Sequence, residues 1–268
     1  MRRFLIGMKK HHRCSECTTK TPTYGIVMIA RNEEKNIGTT LDSIFKQTIP
    51  PNQVIVINDN STDDTPDIAK QFPVELYTFP EKHENWVTRP ELAKVINYGF
   101  TRLNDWDYSC PMGADHILPP DYYQRIFEKM NDTDIVVASG SIRGEMAVNP
   151  RGSGRVIRTD FWKEIGGLLP INYGWESYVT LKAKQLGYQL GYFEDIQTTT
   201  LRRTGSTYKP KMYYFYGYAY RALGYPALYT FCRALLLVKR HKGVKSFFQF
   251  LRGYITNRKD RYERELLD

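Results

Sequence analysis

Four β-branched residues in succession, Val54, Ile55, Val56 and Ile57, run without a break into Asn58, Asp59, Asn60, Ser61, Thr62, Asp63 and Asp64. A continuous apolar run of that length fits a strand covered on both faces, which is the situation inside a parallel sheet. Parallel neighbours need crossover helices, so the run points to an α/β fold. Open parallel sheets bind ligands in the crevice beyond the carboxyl ends of their strands. A turn dense in carboxylates and amides at such an end is where a ligand would sit. The plainer reading of the same turn is a βα connection in which Asn60 or Ser61 caps the next helix.

Other segments repeat the arrangement. Tyr24–Ala30 reads as a second buried strand ending in Arg31-Asn32-Glu33-Glu34, with a helix from about Asn36 to Gln47. Tyr108–Met112 leads into Gly113-Ala114-Asp115-His116, followed by Leu118-Pro119-Pro120-Asp121-Tyr122. Three strand ends therefore deliver polar groups to one edge. Ile135–Ser139 adds a strand, residues 141–155 form an irregular glycine- and arginine-bearing loop, and Val156–Gly167 reads as a short strand and helix. Gly174-Trp175-Glu176-Ser177 opens a helix that ends at Gly187-Tyr188.

In this order the elements resemble the inverting family 2 glycosyltransferases of the GT-A fold, over roughly residues 22–205. The resemblance implies a nucleotide-diphospho-sugar transferase fold: a central, mostly parallel sheet flanked by helices. The expected organisation is a basic leader over 1–21 and a GT-A domain over 22–207. Its nucleotide-binding half would be 22–115 and its acceptor half 116–207. A helical extension rich in aromatic and basic residues would follow over 208–268.

The size suits one such domain with an appendage: 268 residues, 41% hydrophobic and 25% charged. A net charge of +9 suits anionic partners, and much of the excess lies at the two ends. No apolar run of about 18 residues is present, as a spanning helix would need. Phe4-Leu5-Ile6 is too brief for a signal peptide. The expectation is a cytoplasmic protein with a peripheral membrane contact through its basic tail. In that tail Phe247, Phe248, Phe250, Leu251, Tyr254 and Ile255 interleave with Lys245, Arg252 and Arg258. Helical spacing of this kind serves either a helix packed on the domain or an amphipathic surface for a bilayer or a polyprenyl-phosphate, and packing is the reading favoured here. Cys14 and Cys17 beside His11 and His12 have a spacing that suits zinc or a small disulfide, and a disordered basic leader is the reading favoured here. Cys110 and Cys232 read as buried thiols.

Sugar transfer needs a nucleotide pocket, a means of offsetting charge on the departing diphosphate, and a base. Carried over residue by residue, the resemblance assigns the nucleotide-sugar pocket to Ile29, Ala30, Arg31, Glu33, Ile57, Asp59, Ala114, Asp115, Arg143 and Arg202. Asp59 would contact the base and Glu33 the ribose. Relatives commonly hold a divalent cation, Mg²⁺ or Mn²⁺, on an Asp-x-Asp motif; Gly113 stands in place of the first aspartate, which leaves Asp115 as the metal ligand and implies weaker affinity. Arg143, Arg202 and Arg203 would add positive charge at the diphosphate. Glu176 falls on the catalytic base, and Trp175, in place of the usual preceding acid, would offer an aromatic platform to the acceptor, a glycan or a polyprenyl-phosphate.

Two other readings compete. The missing aspartate fits a catalytically weakened nucleotide-sugar binder. A nucleotidyltransferase would need a glycine-rich, lysine-bearing loop, and Ala30–Ile37 contains none. Nucleic-acid binding is set aside, because no recognition motif accompanies the charge.

Overall fold

The computed structural model describes residues 21–83, 89–145, 147, 149–202, 210–241, 243–257 and 262. Its strands are β1 (Tyr24–Ala30), β2 (Gln53–Asn58), β3 (Glu75–Thr78), β4 (Tyr108–Gly113), β5 (His116–Ile117), β6 (Ile135–Ile142), β7 (Val156–Arg158) and β8 (Gln189–Thr200). The helices are α1 (Ile37–Phe45), α2 (Thr65–Ala69), α3 (Pro90–Phe100), α4 (Tyr122–Met130), α5 (Thr159–Glu164), α6 (Trp175–Gln185), α7 (Pro210–Ala222), α8 (Ala227–His241) and α9 (Val244–Thr256).

The strands form one sheet in the order β3-β2-β1-β4-β7-β6-β8-β5. β3, β2, β1 and β4 run parallel, β6 and β8 run parallel, and β7 joins the two groups antiparallel to both. Strand alternation divides the core. Tyr24, Ile26, Met28 and Ala30 of β1, with Val54 and Val56 of β2, face Ile37, Leu41 and Ile44 of α1 and Tyr122, Tyr123, Ile126 and Phe127 of α4. Val27, Ile55 and Ile57 face the other way, onto Ala93, Ile96 and Phe100 of α3 and Trp175, Val179 and Ala183 of α6. The spacings 37/41/44 and 175/179/183 are one helical stripe each, so each helix buries one face.

β8 was not foreseen. Its sequence, QLGYFEDIQTTT, lacks an unbroken apolar run and carries two acids, and β6 slips in register against it, Gly140 pairing Phe193 while Ser141 pairs Gln197. Its far end pins the Asp115 turn by pairing Thr200 with His116 and Thr199 with Ile117.

The extension packs on the domain through α7: Tyr173 stacks on Phe215 with ring centres 5.6 Å apart and lies 4.7 Å from Tyr218. Helices α7 and α9 cross at two glycines. A Cβ on Gly217 would lie 1.8 Å from the Phe250 carbonyl oxygen, and one on Gly253 would lie 1.9 Å from that of Tyr214. The expected packing of the tail thus holds for α9, where Phe250 and Tyr254 are buried. Helix α8 differs. Thr230 and Ala234 turn inward, but Leu228, Phe231, Leu235 and Leu236 are exposed. Cys232 is exposed as well, which corrects the reading of it as buried; Cys110 is buried. The leader with Cys14 and Cys17, and Arg203, lie outside the described residues.

Candidate active site

The turns after β1 and β2 are laced together. Asn32, in the left-handed region at φ 55, accepts the Thr62 N–H at 2.8 Å, and Thr65 Oγ1 accepts the Glu33 N–H at 2.6 Å. Asp59 donates its N–H to the Ala30 carbonyl at 2.8 Å. Its carboxylate is only 1% exposed; Oδ1 meets His83 Nε2 at 2.9 Å and Oδ2 lies 3.6 Å from Arg31 Nη1. Arg31 also donates to the His83 carbonyl at 2.9 Å, so its guanidinium is fixed beside Asp59. Side chains of Ala30 and Ile57 are in the core, and Ile29 is partly buried against it, so these three border the crevice chiefly through backbone.

The Asp115 turn hangs on a directed chain of hydrogen bonds. Thr198 Oγ1 donates to the Ser141 carbonyl at 2.8 Å, and therefore accepts from His116 Nε2–H at 2.7 Å. That leaves His116 Nδ1 bare to accept the Ser153 hydroxyl at 2.7 Å, whose oxygen accepts the Gly113 N–H at 2.9 Å. Thr40 Oγ1 donates to the Ala114 carbonyl at 2.8 Å, and Leu201 N–H to that of Asp115 at 2.8 Å. Burial holds His116 down to about 4, with the Arg151 charge acting the same way and Asp115 opposing. An unfolded histidine protonates near 6.5, so between these values the unfolded chain binds the extra proton and stability falls as pH falls. Compared with His116→Gln in thermal melts, the parent should lose stability as pH falls from about 6.5 to about 4, a difference that cancels the contributions of other titrating groups. An unchanged slope in the variant would assign the loss to other groups.

Gly113 stands where a paired carboxylate was expected. A Cβ there would lie 3.2 Å from Asp115 Oδ1 and 3.4 Å from Ser153 Oγ, so the Ser153 hydroxyl occupies the neighbourhood a second acid would need. Opposite, Arg202 joins two strand ends: Nε donates to Asp115 Oδ2 at 3.0 Å and Nη2 donates to Glu33 Oε1. Glu33 is otherwise held by Asn36 Nδ2 at 2.8 Å on Oε2. Glu33, Asp115 and Arg202 thus form one cluster at the carboxyl edge of the sheet. Among the described residues no three histidine, cysteine, aspartate or glutamate side chains gather as a metal cluster.

Glu176 lies in the first turn of α6, half-buried. Burial pushes its carboxyl up to about 7, and the Arg155 charge pulls the other way. Arg155 is buried and donates to the carbonyls of Arg151 at 2.9 Å, Pro150 at 3.1 Å and Glu176 at 3.4 Å. The short Ser153–Arg155 segment therefore touches the Gly113 turn at one end and the Glu176 turn at the other. Trp175 is corrected: its ring is 7% exposed within the α3/α6 core and its indole N–H donates to the Arg89 carbonyl at 3.0 Å, so it presents no open face to a sugar. Arg143 is exposed just beyond β6, its N–H bonded to the Thr198 carbonyl at 3.0 Å. His83, Ser153 and Arg155 had no sequence signal: each sits in a polar, irregular segment where nothing sets it apart from its neighbours, and only the fold brings it to a carboxylate or the turn.

Comparison with known proteins bears on the fold and the family. Over 121 residues, 45% of this chain, it is 27% identical to the putative glycosyltransferase EpsH of Bacillus subtilis (strain 168), covering 34% of that protein. The chain thus spans about a third of the length of this curated relative. Among solved structures, the mannosyltransferase PcManGT of Pyrobaculum calidifontis, in complex with GDP-Man and Mn²⁺, superposes with a TM-score of 0.59 at 15% identity, covering 88% of this chain and 69% of that one. TarS of S. aureus in complex with UDP-GlcNAc gives 0.57 at 16%, covering 88% and 72%. At these identities the likeness shows the fold, that of GT-A glycosyltransferases. The family model for glycosyl transferase family 2 matches residues 25–209, well over half of the sequence, and the chain belongs to that family.

Proposed function

We propose that this protein moves a sugar from a nucleotide-diphosphate sugar to an acceptor hydroxyl with inversion, in glycan or glycolipid assembly, with Glu176 as the base. The observation that carries the reading is the Glu33–Arg202–Asp115 cluster: two carboxylates from different strand ends and a half-exposed guanidinium share one crevice edge. A ribose and a diphosphate need that pairing of acceptors and positive charge.

In the proposed step the acceptor oxygen attacks the anomeric carbon as the bond to the diphosphate oxygen breaks. The hydroxyl proton passes to Glu176, and the electron pair leaves on the nucleoside diphosphate. Attack opposite the leaving group in a single displacement inverts the anomeric centre. A lipid phosphate is already ionised and would give Glu176 nothing to deprotonate, so a raised carboxyl favours a hydroxyl acceptor. Arg202, released from the carboxylates, would turn to the diphosphate, with Arg143 at the same edge. Arg31 and Asp59 would face the nucleobase.

Asp115 and the diphosphate oxygens are a donor set that Mg²⁺ or Mn²⁺ accepts, since these ions are often bound through one carboxylate and substrate phosphates. Bound there, the ion would neutralise charge on the leaving group. With Gly113 beside it, Asp115 alone is a poor site. Calorimetric titration should therefore detect Mn²⁺ only when a nucleoside diphosphate is present. Mn²⁺ binding without nucleotide, unaffected by Asp115→Asn, would remove Asp115 from this role.

The test of the whole reading is a panel of UDP-, GDP- and dTDP-sugars, followed by thermal shift and by donor hydrolysis. One nucleotide should stabilise the protein and be turned over, and Asp59→Ala should abolish the shift. No shift with any of them would overturn the donor pocket. A shift without turnover, unchanged in Glu176→Gln, would favour the nucleotide-sugar binder that Gly113 also suggests.

A further inference from the structure

Helices α8 and α9 leave an apolar surface open. On α8, Leu228, Phe231 and Leu235 follow helical spacing and are 76%, 43% and 49% exposed, with Leu236 at 58% beside them. On α9, Val244, Phe248 and Ile255 repeat the pattern at 64%, 64% and 70%. Scattered exposed leucines are ordinary, but seven large apolar side chains on two adjacent helices form a patch that marks an interaction surface. The inward residues of α8, Thr230 and Ala234, contact the rest of the extension, so this helix buries little of its own apolar surface against the protein.

The charge around the patch selects its partner. No Asp or Glu stands in residues 208–259, the stretch that carries these helices, and that stretch contains 11 Lys and Arg. Arg233, Lys245 and Arg252 are exposed among the apolar residues themselves. A second copy of the chain docked face to face would bring cations against cations with no anion to answer them. An anionic bilayer answers both features, taking the apolar side chains below its headgroups and the basic ones at its surface. The mode is surface docking, because no helix among the described residues is long and apolar enough to cross a membrane.

We propose that the α8–α9 face docks on an anionic lipid bilayer. Its exposed leucines and phenylalanines insert at the interface, and its basic side chains pair with lipid phosphates. This goes beyond the donor reading and does not depend on it, since docking needs no nucleotide.

The test is flotation of the full chain with vesicles of about 30% phosphatidylglycerol in phosphatidylcholine, against phosphatidylcholine alone. The protein should float with the anionic vesicles, lose most of that binding in 0.5 M NaCl (a condition chosen at roughly three times physiological ionic strength), and bind pure phosphatidylcholine at least about tenfold more weakly. A Leu235→Ser/Leu236→Ser/Phe248→Ser variant should bind the anionic vesicles at least about tenfold more weakly, since it removes interfacial apolar area. These side chains are exposed, so the variant should melt as the parent does and show the same nucleotide-induced shift, which separates a failure here from a failure of the donor pocket. Failure of the parent to float, or equal flotation of parent and variant, would overturn the proposal. So would a dimer in lipid-free solution that the triple variant dissociates, which would make this a face between two copies.

Discussion

Glu176→Gln should lower kcat by about 10²–10⁴-fold, the usual contribution of a positioned general base. The nucleotide-induced thermal shift should persist, because in the proposed step Glu176 takes the acceptor's proton and makes no contact with the nucleotide. The parent's kcat/KM should rise with pH and level off above about 7, the value to which burial pushes this carboxyl. The same shift makes a statement about stability. An unfolded glutamate ionises near 4.5, so from there to about 7 the unfolded state releases a proton the folded state keeps, and the folded protein loses stability as pH rises. Glutamine cannot ionise. Above pH 7 the inactive variant should be the more stable protein, by up to about 3 kcal/mol on the scale of 1.36 kcal/mol per pH unit. Melting curves of both proteins at pH 5 and pH 8 measure it. A variant that loses activity and is equally destabilised at both values would point to a packing role for Glu176.

Gly217→Ala should destabilise the extension more than a methyl added anywhere else in it except at Gly253. The added carbon would sit 1.8 Å from the Phe250 carbonyl oxygen, a backbone atom that cannot swing aside as a side chain does. The two helices must separate along the crossing that buries Phe250 and Tyr254. Overpacking in a close-packed interior commonly costs 1–3 kcal/mol, and a backbone collision belongs at or beyond about 3. For a chain of this size that corresponds to a fall in Tm of about 6–12 °C. Gly253→Ala, 1.9 Å from the Tyr214 carbonyl on the facing helix, should match it. The double variant should cost less than the sum, because the first separation already relieves the second contact. Strict additivity would deny that the two glycines share one crossing.

β1 and β2 could be read from sequence because burial on both faces demands unbroken apolar runs, and the polar turns follow them without spacer residues. The spans of α1 and α6 were legible as well, but the buried stripe of α6 was not, since it begins at Trp175, which the sequence pattern turns toward an acceptor. β8 was not, since its residues alternate weakly, its register slips, and its task is to hold the Asp115 turn through backbone pairing and the Thr198 hydroxyl. Glu33, Asp115 and Arg202 were nameable singly from the family's motifs, but nothing local to Arg202 said that it would join the other two. Trp175 and Cys232 went astray in opposite directions. An aromatic at a helix start turned into the core, and a thiol in an apolar helix turned out of it, because the local pattern gives the period of a helix and not which side of it finds a partner.

The Arg202 bridge has a consequence for how the crevice behaves between turnovers. Two carboxylates converging without a cation would repel each other and draw ions from solution; here the protein supplies its own counterion. The guanidinium is 48% exposed although Glu33 is only 8% and Asp115 25% exposed, so solvent screens each of the two pairs and holds it to about 1 kcal/mol. The bridge is therefore a placeholder and not a lock. It keeps Glu33 and Asp115 at their stations, and under the proposed function it would yield to an incoming diphosphate with a loss of donor affinity of no more than about thirtyfold if both pairs are given up.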